Sequence, residues 1–196
     1  MEFEARAIRR ALAGRDDVEI YTIGIRGGRM PADLSRQRVR GIVMAGLGGG
    51  LHPSLKVGDV VIDSLSQDIA QKLPYRKGPM HTATRIVSTP QQREELFKQS
   101  GAVVVEMENE RVRTLAQELA VPYVGIRAIS DSAEQTLDPA TLGLVDDLGR
   151  VRIAALLREL VWRPGLIADL NRLRKHSSLA VGNLAVAVKQ TVECFG

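Results

Sequence analysis

Carboxylate side chains follow two apolar, β-branched runs of the sequence, a placement suited to proton chemistry or to the binding of sugar hydroxyls. Glu106 and Glu108 close a run of three valines, and Asp131 closes a second apolar run. The pattern predicts two buried strands joined by an amphipathic helix over residues 109–120, a βαβ unit of a parallel sheet. Because ligands bind at the carboxyl ends of parallel strands, we expect the three carboxylates to share one edge of the sheet.

Each of these residues also has a structural interpretation. Glu108 would stabilise the start of the following helix through the helix dipole, and Asp131 could act as a helix N-cap. Alternation in a strand places Met107 opposite Glu106 and Glu108, which is typical of a core residue. Its position between two acids also makes Met107 a candidate contact to a sugar.

A glycine cluster at residues 46–50 follows a third apolar run, residues 41–46, which we predict to be a buried strand. Glycine backbone can approach a ligand closely and offer amide donors. The cluster lacks the Lys-Ser/Thr of a P-loop, and Pro53 prevents the immediate helix of a dinucleotide site. A tight turn is the structural alternative.

Hydrophobic periodicity and turn residues predict the elements that must position these side chains. Helices are predicted at residues 3–12, 31–37 and 90–99, strands at residues 18–25, 57–62 and 85–88, and a polar loop over residues 64–79. Residues 137–148 are predicted to be irregular or helical, and residues 150–191 to form two or three helices interrupted at Pro164-Gly165 and Ser177-Ser178. No strand is predicted before the first helix, although a doubly wound domain normally begins with one.

Composition predicts one domain over residues 1–196, with a core at 1–149 and a basic helical tail at 150–196. The chain is 44% hydrophobic and only 4% aromatic, which argues against stacking platforms for nucleic acid. The lone Cys194 fits a reducing cytosol, and no apolar run is long enough to span a membrane. The three histidines show no metal-ligand spacing, so we expect no metal. They are His52, His81 and His176.

The positive charge of the chain is concentrated in its tail. From residue 150 onward there are eight basic and three acidic residues, a net charge of +5, whereas residues 1–149 carry −1. One interpretation is that the tail helices cover the sheet or form a dimer interface. The alternative is peripheral contact with an anionic membrane through residues 150–190. A role in binding nucleic acid is not expected, because no recognised motif accompanies the charge.

Three motifs, in this order, resemble the nucleoside phosphorylase superfamily and, within it, the nucleosidases that cleave methylthioadenosine and adenosylhomocysteine. They are residues 45–61, residues 105–108 and residues 121–131. Residues 1–6 and 151–173 resemble the hopanoid-associated phosphorylase branch, which is linked to removal of adenine from adenosylhopane. The resemblance implies an α/β three-layer sandwich with a central mixed, mostly parallel sheet and a helical C-terminal tail.

The resemblance also implies roles for individual residues. Asp131 matches the aspartate that protonates N7 of the leaving purine, and Glu4 matches the glutamate that activates the attacking water. Glu108 matches the glutamate that holds the ribose hydroxyls, and Met107 would line the sugar pocket. Further substrate contacts are expected from Glu106, Ser130, Gly46, Leu47 and Gly48.

The implied activity is cleavage of the N-glycosidic bond of a 5′-substituted adenosine by a cytoplasmic homodimer or larger homo-oligomer, without a cofactor. Adenosylhopane is one such substrate. Leu47 stands where many relatives have a serine that helps hold phosphate, which favours water as the nucleophile. Arg26 and Arg29 leave phosphate open as a co-substrate, so a phosphorolytic enzyme is one alternative. A nucleoside-binding member without turnover is another.

Overall fold

The computed structural model describes residues 2–24, 39–137 and 166–195, with side chains of the last segment described from residue 174. The helices are α1 (Glu2–Ala11), α2 (Gln67–Lys72), α3 (Pro90–Ser100), α4 (Asn109–Glu118) and α5 (Leu166–Glu193). The strands are β1 (Ile42–Gly50), β2 (Val60–Ser64), β3 (Arg76–Lys77), β4 (Met80–Thr82), β5 (Val104–Glu106) and β6 (Tyr123–Asp131). No helix in the described ranges is long and apolar enough to cross a membrane.

The six strands form one mixed sheet in the order β3-β2-β6-β1-β5-β4. The pairs β1/β6, β2/β3 and β4/β5 are parallel, and the pairs β1/β5 and β2/β6 are antiparallel. The central pair β1/β6 is the longest, with Ile42 opposite Tyr123 at one end and Gly49 opposite Asp131 at the other. The predicted mixed, mostly parallel sheet is confirmed.

The predicted parallel βαβ unit around α4 is wrong. Strand β1 lies between β5 and β6, and β5 runs antiparallel to β1 whereas β6 runs parallel to it. Local periodicity predicts strand, helix and strand, but the direction of β5 depends on its long-range pairing with Gly49 and Gly50. The carboxyl ends of β5 and β6 therefore point in opposite directions, although Val105 and Asp131 both lie opposite Gly49 of β1.

Helices cover both faces of the sheet and give it the expected three layers. The first face packs against α1, α2 and α5, and its core includes Ile8, Ile62, Val124, Ile126, Ala128 and Leu184. On the other face, Val112 and Ala116 of α4 pack against Tyr123. Because successive residues of a strand point to opposite faces, β6 alternates between the two cores. The interpretation that the tail covers the sheet is confirmed for α5.

The structure confirms two of the predicted helices and the predicted strand that runs into the glycine cluster. Helix α1 matches the prediction for residues 3–12, and α3 matches the prediction for residues 90–99. The Thr89 side chain caps α3 in a capping box, and Gly101 ends it with φ of 67°. The strand predicted at residues 57–62 begins at Val60, since Gly58 has φ of 92° and forms part of a turn.

Four local predictions are wrong, for reasons of packing. Residues 18–24 and 85–88 form no strand, because Val18, Ile20 and Val87 pack against core clusters without strand partners among the described residues. The predicted loop over residues 64–79 contains α2 and β3, since Ile69, Ala70 and Leu73 give α2 one buried face. Helix α5 continues through Ser177-Ser178, because its packed apolar face outweighs the weak helix propensity of serine.

The remaining predictions lie outside the described residues. They concern the helix at residues 31–37, the end of the strand at residue 25, residues 138–148, and the tail up to the break at Pro164-Gly165. Arg26 and Arg29 also lie outside the described ranges.

Candidate active site

Arg127 is a fully buried cation in the middle of β6. Its Nη2 donates to Glu106 Oε2 at 2.6 Å and to Glu108 Oε2 at 3.5 Å. Burial alone lowers the pKa of Arg127, but the charges of Glu106 and Glu108 and the hydrogen bond that Arg127 donates to Glu106 outweigh it, so the pKa is raised. The sequence held a signal for this residue, because a charge inside an apolar strand must be paired.

Glu106 is engaged by the protein on both carboxylate oxygens. Oε2 accepts the backbone N–H groups of Glu108 and Asn109 at 2.7 and 2.6 Å as well as the Arg127 contact, and Oε1 accepts the Thr82 hydroxyl. Glu106 therefore satisfies the first amides of α4, which have no partner within the helix. These contacts favour a structural role for Glu106. Its carboxylate, and not that of Glu108, accepts the first backbone N–H groups of α4.

Glu4 reaches the same region from α1. Its side chain is buried, and Oε1 accepts the backbone N–H of Leu47 at 2.9 Å. A Cβ atom added at Gly46 would lie 3.1 Å from Arg127 Nη1 and 3.6 Å from Glu4 Oε1. Arg127 and Glu4 therefore meet over Gly46, and Glu108 joins them through Arg127. We call Glu4, Glu106, Glu108 and Arg127 the Arg127 cluster.

The other predicted contacts on β1 have their own packing reasons. The alternative of a tight turn at the glycine cluster is wrong, since residues 46–50 are the second half of strand β1. A Cβ atom at Gly48 would lie 2.7 Å from Val104 Cγ1, so glycine is needed for the close approach of β5. The Leu47 side chain packs against the first-face core. Met107 is half-buried beside Glu108.

Asp131 ends β6 and is paired with a second buried arginine. Arg93 of α3 forms an ion pair with Asp131 Oδ2, and the Ser130 hydroxyl donates to Oδ1 at 2.5 Å. Both charged residues are buried, Arg93 completely. Ser130 is skipped in the pairing of β6 with β1, a bulge of the kind that re-aims side chains at strand ends. We call Asp131 and Arg93 the Asp131 pair.

No sequence signal distinguished Arg93. Helix α3 is polar on most of its surface, and Arg93 is its buried residue. Its importance follows from the position of α3 beside the ends of β1 and β6, which is a long-range feature. The ion-pair partner of Asp131 is Arg93, whereas Glu106 and Glu108 both contact Arg127.

The Arg127 cluster and the Asp131 pair lie along the same stretch of β1. A Cβ atom at Gly49 would lie 3.0 Å from Asp131 Oδ2, just as one at Gly46 would touch the Arg127 cluster. At a rise of about 3.3 Å per residue, Gly46 and Gly49 are about 10 Å apart along the strand. The structure therefore brings Glu4 and Glu108 together and places Asp131 at a second position. Groups so arranged can contact two ends of a small molecule.

Comparison with known proteins assigns the family. Residues 63–161, about half of the chain, match the Phosphorylase superfamily. No curated protein sequence matches the chain.

The fold is also found in solved structures. Futalosine hydrolase of Helicobacter pylori and the 5′-methylthioadenosine/S-adenosylhomocysteine nucleosidase of the same organism, solved with butyl-thio-DADMe-Immucillin-A, each have 17% identity and a TM-score of 0.65. In both cases the match covers 98% of this chain and 94% of the other. The corresponding nucleosidase of Colwellia psychrerythraea, in complex with adenine, has 16% identity and a TM-score of 0.65, covering 100% and 92%. The chain therefore belongs to the phosphorylase superfamily, a family of enzymes that cleave glycosidic bonds.

Proposed function

We propose that this protein cleaves the N-glycosidic bond of a purine nucleoside and that its preferred substrates are 5′-substituted adenosines. The observation that carries the proposal is the placement of carboxylates at two positions along β1. Glu4 and Glu108 lie at the Gly46 end, and Asp131 lies at the Gly49 end, about 10 Å away along the strand. That separation is comparable with the length of a nucleoside.

At the Gly49 end, Asp131 would act on the leaving base. Cleavage of the bond leaves negative charge on the purine, and proton transfer from Asp131 to N7 would neutralise it. General acid catalysis of this kind is worth about 10²–10⁴-fold. Ser130 fixes Oδ1 through its hydroxyl, so the carboxyl group has a defined orientation before substrate binds.

At the Gly46 end, the acids would act on the sugar and on the nucleophile. Glu108 has a partly exposed side chain, 19% accessible, and can accept hydrogen bonds from ribose hydroxyls. Its negative charge would stabilise the oxocarbenium-like sugar of the transition state. Glu4 would take a proton from the attacking water, the arrangement of two opposed carboxyl groups found in glycoside hydrolysis.

Two finer proposals rest on the sequence resemblance of residues 1–6 and 151–173. The first is that adenosylhopane is a substrate, since the hopanoid-associated branch shares those flanks. The second is that the basic tail of a homodimer or larger assembly contacts an anionic membrane. In the described part of the tail, Arg174, Lys175 and Lys189 are exposed, while the apolar face of α5 is used in the core. Co-sedimentation with anionic vesicles tests the membrane contact, and salt-insensitive absence of binding contradicts it.

The experiment is adenine release measured by chromatography. Adenosine, methylthioadenosine, adenosylhomocysteine and a lipophilic 5′-alkyl adenosine are each offered with and without phosphate. Release without phosphate supports hydrolysis by water, and release only with phosphate supports the phosphorolytic alternative. Asp68→Asn, an exposed change on α2, serves as the control for Asp131→Asn. Binding of these nucleosides without any release would contradict the enzymatic proposal and favour a nucleoside-binding protein.

A further inference from the structure

We propose that Arg93 is a positioning residue for Asp131, whose carboxyl group it orients at the ends of β1 and β6. The inference rests on the proposed function, because it concerns the group that would protonate the base. It assigns a role to a residue of α3 that none of the sequence motifs contains.

The contacts of Arg93 join three elements at one guanidinium group. Nη2 forms the ion pair with Asp131 Oδ2, and Nη1 donates to the Ser132 carbonyl at 2.9 Å. Nη1 also lies 3.4 Å from the carbonyl oxygens of Gly50 and Asp131. The guanidinium is thereby fixed between α3 and the ends of β1 and β6. A fixed donor on Oδ2 and the Ser130 hydroxyl on Oδ1 together determine the plane of the carboxyl group.

The backbone of β1 leaves space for this pair. A Cβ atom at Gly49 would lie 3.0 Å from Asp131 Oδ2 and 3.3 Å from Arg93 Nη1. Both distances are tighter than ordinary van der Waals contact, so a side chain here would press on both partners at once. Glycine at this position therefore lets the pair lie against the strand without being displaced.

Among the described charged side chains, Arg93 is the one that forms an ion pair with Asp131. On α3, the exposed Glu94 and Lys98 pair with each other at 2.6 Å. From β1 the neighbours are glycines, and the charges of β5 and β6, Glu106 and Arg127, pair in the Arg127 cluster. Among the described residues, Arg93 Nε has no hydrogen-bond partner, so this one N–H group of the guanidinium is left unsatisfied.

The consequence for the reaction is a fixed direction for proton transfer. Arg93 holds Oδ2 and Ser130 holds Oδ1, so the carboxyl group keeps one plane while the base leaves. Without the guanidinium the carboxyl group can turn, and it would less often lie in the orientation that proton transfer to N7 needs.

The test compares kcat and KM for adenine release in wild type, Arg93→Met and Arg93→Lys. In Arg93→Met, kcat is expected to fall by about 10–100-fold while KM changes less than about threefold, and Arg93→Lys should recover part of the loss in kcat. In the Asp131→Asn background, Arg93→Met should change kcat less than about twofold, since it acts through Asp131. Circular dichroism checks that each variant is folded.

Gly49→Ala gives the same test if Arg93→Met does not fold, because the added methyl group presses on the pair without removing a charge. Its kcat should also fall, with KM little changed. A folded variant of either kind with wild-type kcat would overturn the inference, as would equal losses from Arg93→Met with and without Asp131. Absence of base release by the wild-type protein would instead contradict the proposed function, so the two failures are distinguishable.

Discussion

Two buried arginines face carboxylates in this protein, and they differ in what surrounds the carboxylates. Arg127 and Arg93 are both 0% exposed. Arg127 sits in the central strand against two glutamates, of which Glu106 also accepts two backbone amides and the Thr82 hydroxyl. Asp131 accepts a side-chain hydroxyl and the Arg93 guanidinium. The Asp131 carboxyl group therefore keeps more acceptor capacity for a ligand.

The comparison indicates that a buried ion pair can contribute mainly to stability or mainly to catalysis. Removing one partner of a buried pair is strongly destabilising, because the other charge is left unpaired. At Arg127 that cost is distributed over β5, β6 and the start of α4, which the contacts of Arg127 join. At Arg93 the same kind of pair lies at the end of β6, where ligands of such sheets bind. We therefore expect changes at the Arg127–Glu106 contact to act mainly on stability and changes at the Asp131 pair mainly on activity.

The largest stability effect is expected for Arg127→Met. The change leaves Glu106 buried without its cation, so the free energy of unfolding should fall by about 3–5 kcal/mol. Urea denaturation measures it. Lys98→Met is the matched control, because it removes an exposed cation that pairs with Glu94 and should change stability by less than about 1 kcal/mol. Equal effects of the two substitutions would contradict the assignment of Arg127 to the fold.

A smaller effect, on activity, is expected for Glu108→Gln. A hydrogen bond to a charged group is worth about 1.5–3 kcal/mol, so kcat/KM for adenine release should fall by about 10–100-fold. Stability should change little, since the Glu108 side chain is partly exposed and its contact with Arg127 is long, at 3.5 Å. Wild-type activity in a folded Glu108→Gln protein would remove Glu108 from the sugar end of the site.

Thr82→Val should lower stability by about 1 kcal/mol, the usual contribution of one hydrogen bond. The Thr82 hydroxyl donates to Glu106 and accepts the Glu110 backbone N–H at 3.0 Å. Thr82→Ser keeps the hydroxyl and is the control, to be compared by thermal unfolding. A drop in adenine release without a drop in stability would show that Glu106 serves the substrate directly.

The smallest effect is expected at an exposed ion pair far from both arginines. The hydrogen bond from Arg15 holds the pKa of Asp17 at about 2, below its ordinary value of 3.8. A lowered folded-state pKa contributes stability that is present above about pH 4 and is lost as the pH falls towards 2. Asp17→Asn should flatten the pH dependence of the melting temperature slightly in that range, and Asp16→Asn should not. A large effect would mean that exposed ion pairs contribute as much to stability as the buried ones.

Local sequence patterns predicted the parts of the fold that local physics determines. Helix α3 follows from Pro90 and the Thr89 cap, and β1 and β6 follow from long apolar runs. The direction of β5 could not be predicted, because it depends on pairing with residues more than fifty positions away. The approach of Arg93 to Asp131 was missed for the same kind of reason, because the fold brings together a helix and a strand that are far apart in the sequence.

The central claim is that Glu106 serves the fold and Asp131 serves the reaction. The most direct measurement compares Glu106→Gln with Asp131→Asn, each scored for free energy of unfolding and for adenine release. The account predicts that Glu106→Gln loses more stability and that Asp131→Asn loses more activity, by about 10²–10⁴-fold. A stable Glu106→Gln variant that loses more activity than Asp131→Asn would contradict the account.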